Sequence, residues 1–209
     1  MATDWRAAER AAPTSPQAED ALASSTAPFD LTSPTGPWVV FAPTGDTHVA
    51  HQLDALRDAG GIVRRLDARA MSTPETLFRT FARELAFPGY FGHNWNALAD
   101  CLKDLHGDWH GNADVAIVIE HADLLWTRSY LPLFVAVLCD AAEQANLALD
   151  ADGLPNGNPR TALHFVFDFE TGDLRELRAR LRHQDDLTVT RHAHHLTVSS
   201  EPDTVGPLQ

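Results

Sequence analysis

The chain has 209 residues, 44% of them hydrophobic, with 29 acidic side chains against 16 Lys and Arg and a formal net charge of −13. That length suits one well-cored domain with added elements rather than two ordinary domains. A pI near 5.1 argues against a primary role in gripping nucleic acid, which needs clustered Lys and Arg, and favours solubility and fast encounter with a basic partner.

The N-terminus has neither a basic lead nor an apolar h-region, and no stretch approaches the ~20 apolar residues that cross a bilayer, so a cytoplasmic protein without membrane contact is expected. Cys101 and Cys139 each sit within a helical apolar pattern, which suits two buried thiols in a reducing compartment. No cysteine spacing of metal-binding type is present.

Residues 1–35 are rich in Ala, Ser, Thr and Pro and read as a disordered tail, with order expected from Trp38. Residues 36–60 form a βα unit. WVVFA (38–42) is a short apolar run bounded by Gly-Pro and Pro-Thr-Gly, which suits a buried strand. Val49, Leu53 and Leu56 then recur at helical spacing, with His48 and His51 on the helix surface and Gly60-Gly61 as the stop.

Ile62 to Asp67 reads as a second strand. Ser72 lies three residues before Glu75, with Pro74 between them, which suggests a capping box opening a helix. Leu77, Phe78, Phe81 and Leu85 would be its buried stripe, and Pro88 its stop. Val115 to Glu120 is an apolar run typical of a strand covered on both faces. Leu131 to Leu147 is helical in period, Gly153 to Pro159 is a loop, and His164 to Phe169 is a further strand. Alternating strands and helices imply an α/β fold with a small parallel sheet.

Residues 171–209 form a C-terminal extension. Leu174 to Leu181 suggests a helix bearing Arg175, Arg178 and Arg180, with Arg182 just beyond it; these arginines are expected to be solvated or paired with carboxylates. Leu187 to Val198 alternates as one or two strands about Ala193-His194, and the closing VGPLQ is expected to fray.

The stretch FPGYFGHNWNALADCLKDL (87–105) is the most informative. Asn94 suits an N-cap, after which Leu98, Cys101, Leu102 and Leu105 fall on one core-facing stripe. Asn96, Asp100 and Lys103 fall on the opposite side, with Asp104 at its edge. Tyr90 and Phe91 precede Gly92, which can supply a positive φ and turn the loop into the helix. Spacing alone favours an ordinary solvated helix face over a docking face.

The run Tyr90-Phe91-Gly92-x-Asn94-x-x-Ala97-Leu98-x-Asp100-Cys101-Leu102 resembles the signature of the barstar family, intracellular inhibitors of secreted barnase-type ribonucleases. The resemblance spans about residues 61–170. It implies a protein that binds one basic, guanyl-specific ribonuclease one to one, as an immunity protein or antitoxin does, and that is a monomer when free. In that family the loop and helix plug the nuclease active site, and the carboxylate corresponding to Asp100 stands in for a substrate phosphate. The resemblance assigns partner contacts to Tyr90, Phe91, Gly92, His93, Asn94, Asn96, Asp100 and Asp104, and register places a second family carboxylate at Asp140. Asn96 and His93 stand where the family carries acids, and Ala99 where it often carries Trp. A barstar-like module with a non-nuclease partner is therefore the alternative.

The chain's eleven histidines raise a third reading. On a strand, His192 and His194 would share one face, and Asp104, His106, Asp108 and His110 crowd one loop. Spacing supplies no third ligand for the first pair, and no nucleophile, base and orienter can be assembled. Neither catalysis, a cofactor nor a bound metal is expected.

Overall fold

The computed structural model describes residues 29–105, 111, 113–148, 154, 155, 157 and 160–200. The elements, in order, are β1 (Val39–Pro43), α1 (Thr47–Asp58), β2 (Ile62–Asp67), α2 (Pro74–Glu84), α3 (Trp95–Lys103), β3 (Val115–Glu120), α4 (Leu131–Leu147), β4 (Leu163–Phe169), α5 (Leu174–Leu181), β5 (Leu187–Arg191) and β6 (Leu196–Ser200). Short 3-10 turns occupy Ala68–Ala70 and Ala122–Leu125. Residues 1–28 of the tail expected over 1–35, the histidines at 106 and 110, Asp108, most of the 153–159 loop and the final VGPLQ lie outside the described residues.

Local signals explain the helix ends. Asp46 caps α1 by accepting from the backbone N–H of His48 and Val49. At the other end Gly60, at φ +87, lets the Gly61 N–H return to the Leu56 carbonyl at 2.8 Å. The capping box of α2 is one residue later than the Ser72/Glu75 pair suggested. Thr73 is the N-cap, its hydroxyl accepting from Thr76 N–H while the Thr76 hydroxyl accepts from Thr73 N–H. Pro74, whose fixed φ suits the first helical turn, sets that register.

The strands form one sheet in the order β2-β3-β4-β1-β6-β5. The first four run parallel, and the β5–β6 hairpin adds to β1 antiparallel. The βα unit before the 61–170 segment and the extension after it therefore lengthen the same sheet. Side chains alternate across it, which divides the core in two. Phe41, Ile117, Ile119, Phe165 and Phe167 point to the face covered by α2, α3, α4 and α5. Val40, Ala42, Ala116, Val118 and Val166 point to the other, where Leu53 and Leu56 of α1 cover them together with Phe29 and Leu31.

Order thus begins before Trp38. Phe29 and Leu31, grouped with the tail by composition, are buried. The Leu31 N–H donates to Gln52 Oε1 at 3.2 Å, and the buried His164 ring sets one nitrogen 2.8 Å from the Ser33 carbonyl and the other 3.0 Å from that of Pro37. The apolar underside of β1, β3 and β4 needs more cover than α1 provides, and this segment supplies it. Opposite, Asn146 joins the end of α4 to the start of β4: its side chain accepts from Leu163 N–H at 2.6 Å and donates to the Leu163 carbonyl at 3.2 Å. Both cysteines are free and buried. Among the described residues no helix is long and apolar enough to cross a membrane.

Candidate protein-docking site

The loop before α3 is built from inside. Ala86, at φ +55, closes α2 and sends the chain through Phe87 and Pro88, where the Phe91 N–H returns to the Pro88 carbonyl at 2.9 Å. Phe91 is only 6% exposed, with its ring edge-on to Phe87 at 5.0 Å and to Phe78 at 6.4 Å. Tyr90 is 82% exposed. The two aromatics therefore divide the work: Phe91 belongs to the core and holds the loop down, and Tyr90 alone offers a flat face outward.

The positive φ expected at Gly92 falls on His93 instead, at φ +50, with the imidazole against Phe91 at 4.8 Å. Gly92 fits a crowded position. A Cβ there would lie 3.0 Å from Asn94 Nδ2 and 3.4 Å from the Ala97 methyl. That contact is tight because Asn94 folds back as the N-cap: its Oδ1 accepts from Ala97 N–H at 2.9 Å and its Nδ2 donates to the Gly92 carbonyl at 3.2 Å.

Trp95 then fastens the first turn of α3 to its neighbours, edge-on to Phe78 at 4.8 Å and beside Tyr130 and Phe134 of the α4 region. The Tyr130 hydroxyl donates to the Met71 carbonyl. Leu98, Cys101, Leu102 and Leu105 are buried as their spacing implied, while Asn96, Asp100 and Asp104 are exposed. The result is a short helix with a fixed inner face and an amide-carboxylate outer face.

Electrostatics on that face are more balanced than the acids alone suggest. Lys103 Nζ sits 3.0 Å from Asp100 Oδ1, with the lysine side chain 24% exposed and the aspartate 67% exposed. Asp104 ends the helix, its N–H reaching the Asp100 and Leu102 carbonyls. Although this residue is exposed overall, burial of its carboxyl, and then the like charge of Asp100, raise its pKa from the ordinary aspartate value; Lys103 opposes the shift. Burial, with the same two carboxylates behind it, also raises the Cys101 thiol. The Asp100–Lys103 pair has the i,i+3 spacing that lets side chains meet on one helix face.

Asp140 is exposed on α4, where Gln144 Nε2 donates to its Oδ1 at 2.6 Å. α4 packs along α3, but among the described residues no hydrogen bond or ion pair joins Asp140 to the loop or to α3.

The histidines are arranged otherwise than a strand pattern implied. His192 and His194 lie in the turn between β5 and β6, and the partner of His192 is His195, stacked on it at 4.4 Å with 15° between the rings. His48 is not a free surface residue either: Phe29 lies edge-on to it at 4.7 Å. Among the described residues, no three His, Cys, Asp or Glu side chains are placed to hold a metal. Arg180 donates to the Arg128 carbonyl rather than to a carboxylate.

No curated protein matches the chain. The solved structure of the Aeropyrum pernix ORC1 protein in complex with DNA is similar at 16% identity, with a TM-score of 0.40, over 69% of this chain and 37% of that one. This chain thus spans well under half of that protein's length, and a likeness so low carries no argument. The family model described as Barstar (barnase inhibitor) matches residues 62–156, a span that includes the aromatic loop, the Asn94 cap, α3 and α4. Over residues 62–156, somewhat under half of its length, the chain is thus similar to the barstar family.

Proposed function

We propose that this protein is a stoichiometric inhibitor of a basic ribonuclease, docking through residues 88–104 with Asp100 at the centre. The observation that carries the reading is the exposure of Asp100, 67%, on a helix whose opposite face is buried and whose first turn is fixed by Asn94 and Trp95. Such a carboxylate loses little entropy on docking and can accept charge-assisted hydrogen bonds from arginine or histidine in a phosphate-binding site. Tyr90 would cover the rim of that site as an aromatic anchor. An interface of standard size, about 1,600 Å², could be furnished by the loop, α3 and one flank on which Asp140 lies. Inhibition by plugging requires no catalytic step and no cofactor.

A second reading is a barstar-like module that holds a non-nuclease protein. It is favoured by the neutral Asn96, the small Ala99 and the lysine on Asp100, which together lower the charge and the aromatic area offered to a strongly basic site.

Calorimetric titration against barnase at two salt concentrations, with Asp100→Ala alongside, separates the two. Removing one partner of a desolvated ion pair costs about 3–5 kcal/mol, so Asp100→Ala should weaken binding roughly 100- to 4,000-fold at 1.4 kcal/mol per decade. Unchanged affinity on that substitution would exclude an active-site plug centred on Asp100. No binding by the wild type would move the function to the second reading.

A further inference from the structure

We infer that Lys103 is a built-in counter-ion that sets the strength, and hence the partner range, of the Asp100 docking site; the inference rests on the inhibitor reading above. The ammonium lies 3.0 Å from Asp100 Oδ1. A partner cation would therefore meet a carboxylate that shares its charge with a neighbour on the same helix.

The placement of Lys103 makes it more than a mobile surface charge. Its side chain is 24% exposed whereas that of Asp100 is 67% exposed, so the lysine lies against the protein while the carboxylate stands outside it. Leu102 on one side is buried, and Asp104 on the other closes the helix through its backbone N–H. The stem can cover apolar surface while the head stays at the carboxylate. A docking nuclease would meet Asp100 first, with the positive charge retained behind it. Lys103 also lowers the pKa of Asp104, so one ammonium acts on both acids at this end of α3.

The consequence is a graded site. A strongly basic cleft feels attraction to Asp100 and repulsion from Lys103 only a few ångströms further off, and the repulsion grows as the interface excludes water. A cleft with fewer cations, or with one acceptor opposite Lys103, loses less. The face therefore fits a less basic nuclease site better than a strongly basic one, and the neutral Asn96 beside Asp100 acts in the same direction.

The test compares wild type, Lys103→Met and Lys103→Arg for binding to barnase by stopped-flow and calorimetry at low and physiological salt. Met keeps the apolar stem and removes the charge. Lys103→Met should tighten binding by about 3- to 30-fold, mainly through the association rate, with the gain shrinking as salt rises. Lys103→Arg, which retains the charge, should tighten it less. A Lys103→Met protein that folds normally and binds as the wild type does, or more weakly, would overturn the counter-ion role, while loss of binding on Asp100→Ala would leave the docking reading intact. If neither wild type nor Lys103→Met binds barnase, the docking reading fails and the counter-ion role fails with it.

Discussion

Tyr90 and Phe91 adjoin in sequence, yet substituting each should produce opposite phenotypes. Phe91 is 6% exposed and lies among Phe78, Phe87 and His93. Truncation to Ala removes a ring from a packed cluster and leaves a cavity, a change that costs about 3–5 kcal/mol. Set against a typical domain stability of about 5–15 kcal/mol, that loss shifts the urea midpoint strongly without a large change in slope. Tyr90 is 82% exposed, so Tyr90→Ala should change stability by under about 0.5 kcal/mol. If the loop docks as proposed, the same substitution should weaken a nuclease complex by more than about 1 kcal/mol, because an aromatic anchor truncated to Ala loses most of its contact area. Urea denaturation and titration calorimetry on both variants separate the roles. A stable Phe91→Ala protein would refute the buried-support assignment, and a Tyr90→Ala protein with intact affinity would refute the aromatic-anchor assignment.

Asn94→Ala removes both side-chain hydrogen bonds of the N-cap and should cost about 1 kcal/mol, with Asn94→Asp retaining more than Asn94→Ala in thermal melts. Leu31→Ala should cost about 2–5 kcal/mol, since Leu31 is fully buried under the sheet; a neutral result would show that the 29–35 segment does not contribute to the fold. The His195 imidazole is held down to about 4 by burial first and by His192 second, and burial also lowers His164. Their neutral forms belong to the folded state, so their contribution is fully present above about pH 6.5 and is lost as pH falls below it, for His195 towards about 4. His195 is partly exposed, so the slope should stay below the linkage limit of about 1.4 kcal/mol per pH unit. His195→Phe, assayed by urea denaturation across that range, should flatten the acid limb; an acid limb unchanged from wild type would remove His195 as its source.

Most element boundaries were legible in the sequence. β2, β3, α4 and α5 lie where apolar period, Gly and Pro placed them, and Asn94 caps α3 as its residue type and position implied. These features depend on backbone preferences and on periods of two or 3.6 residues, which operate within a turn or two of the chain. The Asp100–Lys103 pair is equally local. The polar face of α3 followed from residue type and spacing, and the family resemblance proposed its partner contacts, but which of two adjacent aromatics faces water was legible in neither.

That distinction came from tertiary packing. Phe91 turns inward because Phe78 and Phe87 of the preceding helix and loop stand ready to meet it, and His93 absorbs the positive φ in place of Gly92. Phe29 and Leu31 are ordered because β1 joins β4, leaving a second sheet face to cover, a need that the Ala- and Pro-rich composition around them does not reveal. His192 meets His195 rather than His194 because the β5–β6 pairing puts them on opposite sides of a turn. Local sequence thus determined the elements, the helix caps and the polar face of α3, since each depends on neighbours along the chain. Only the tertiary structure decided strand order, the division of the core and the outward-facing side chains, since burial is set by residues far away in sequence.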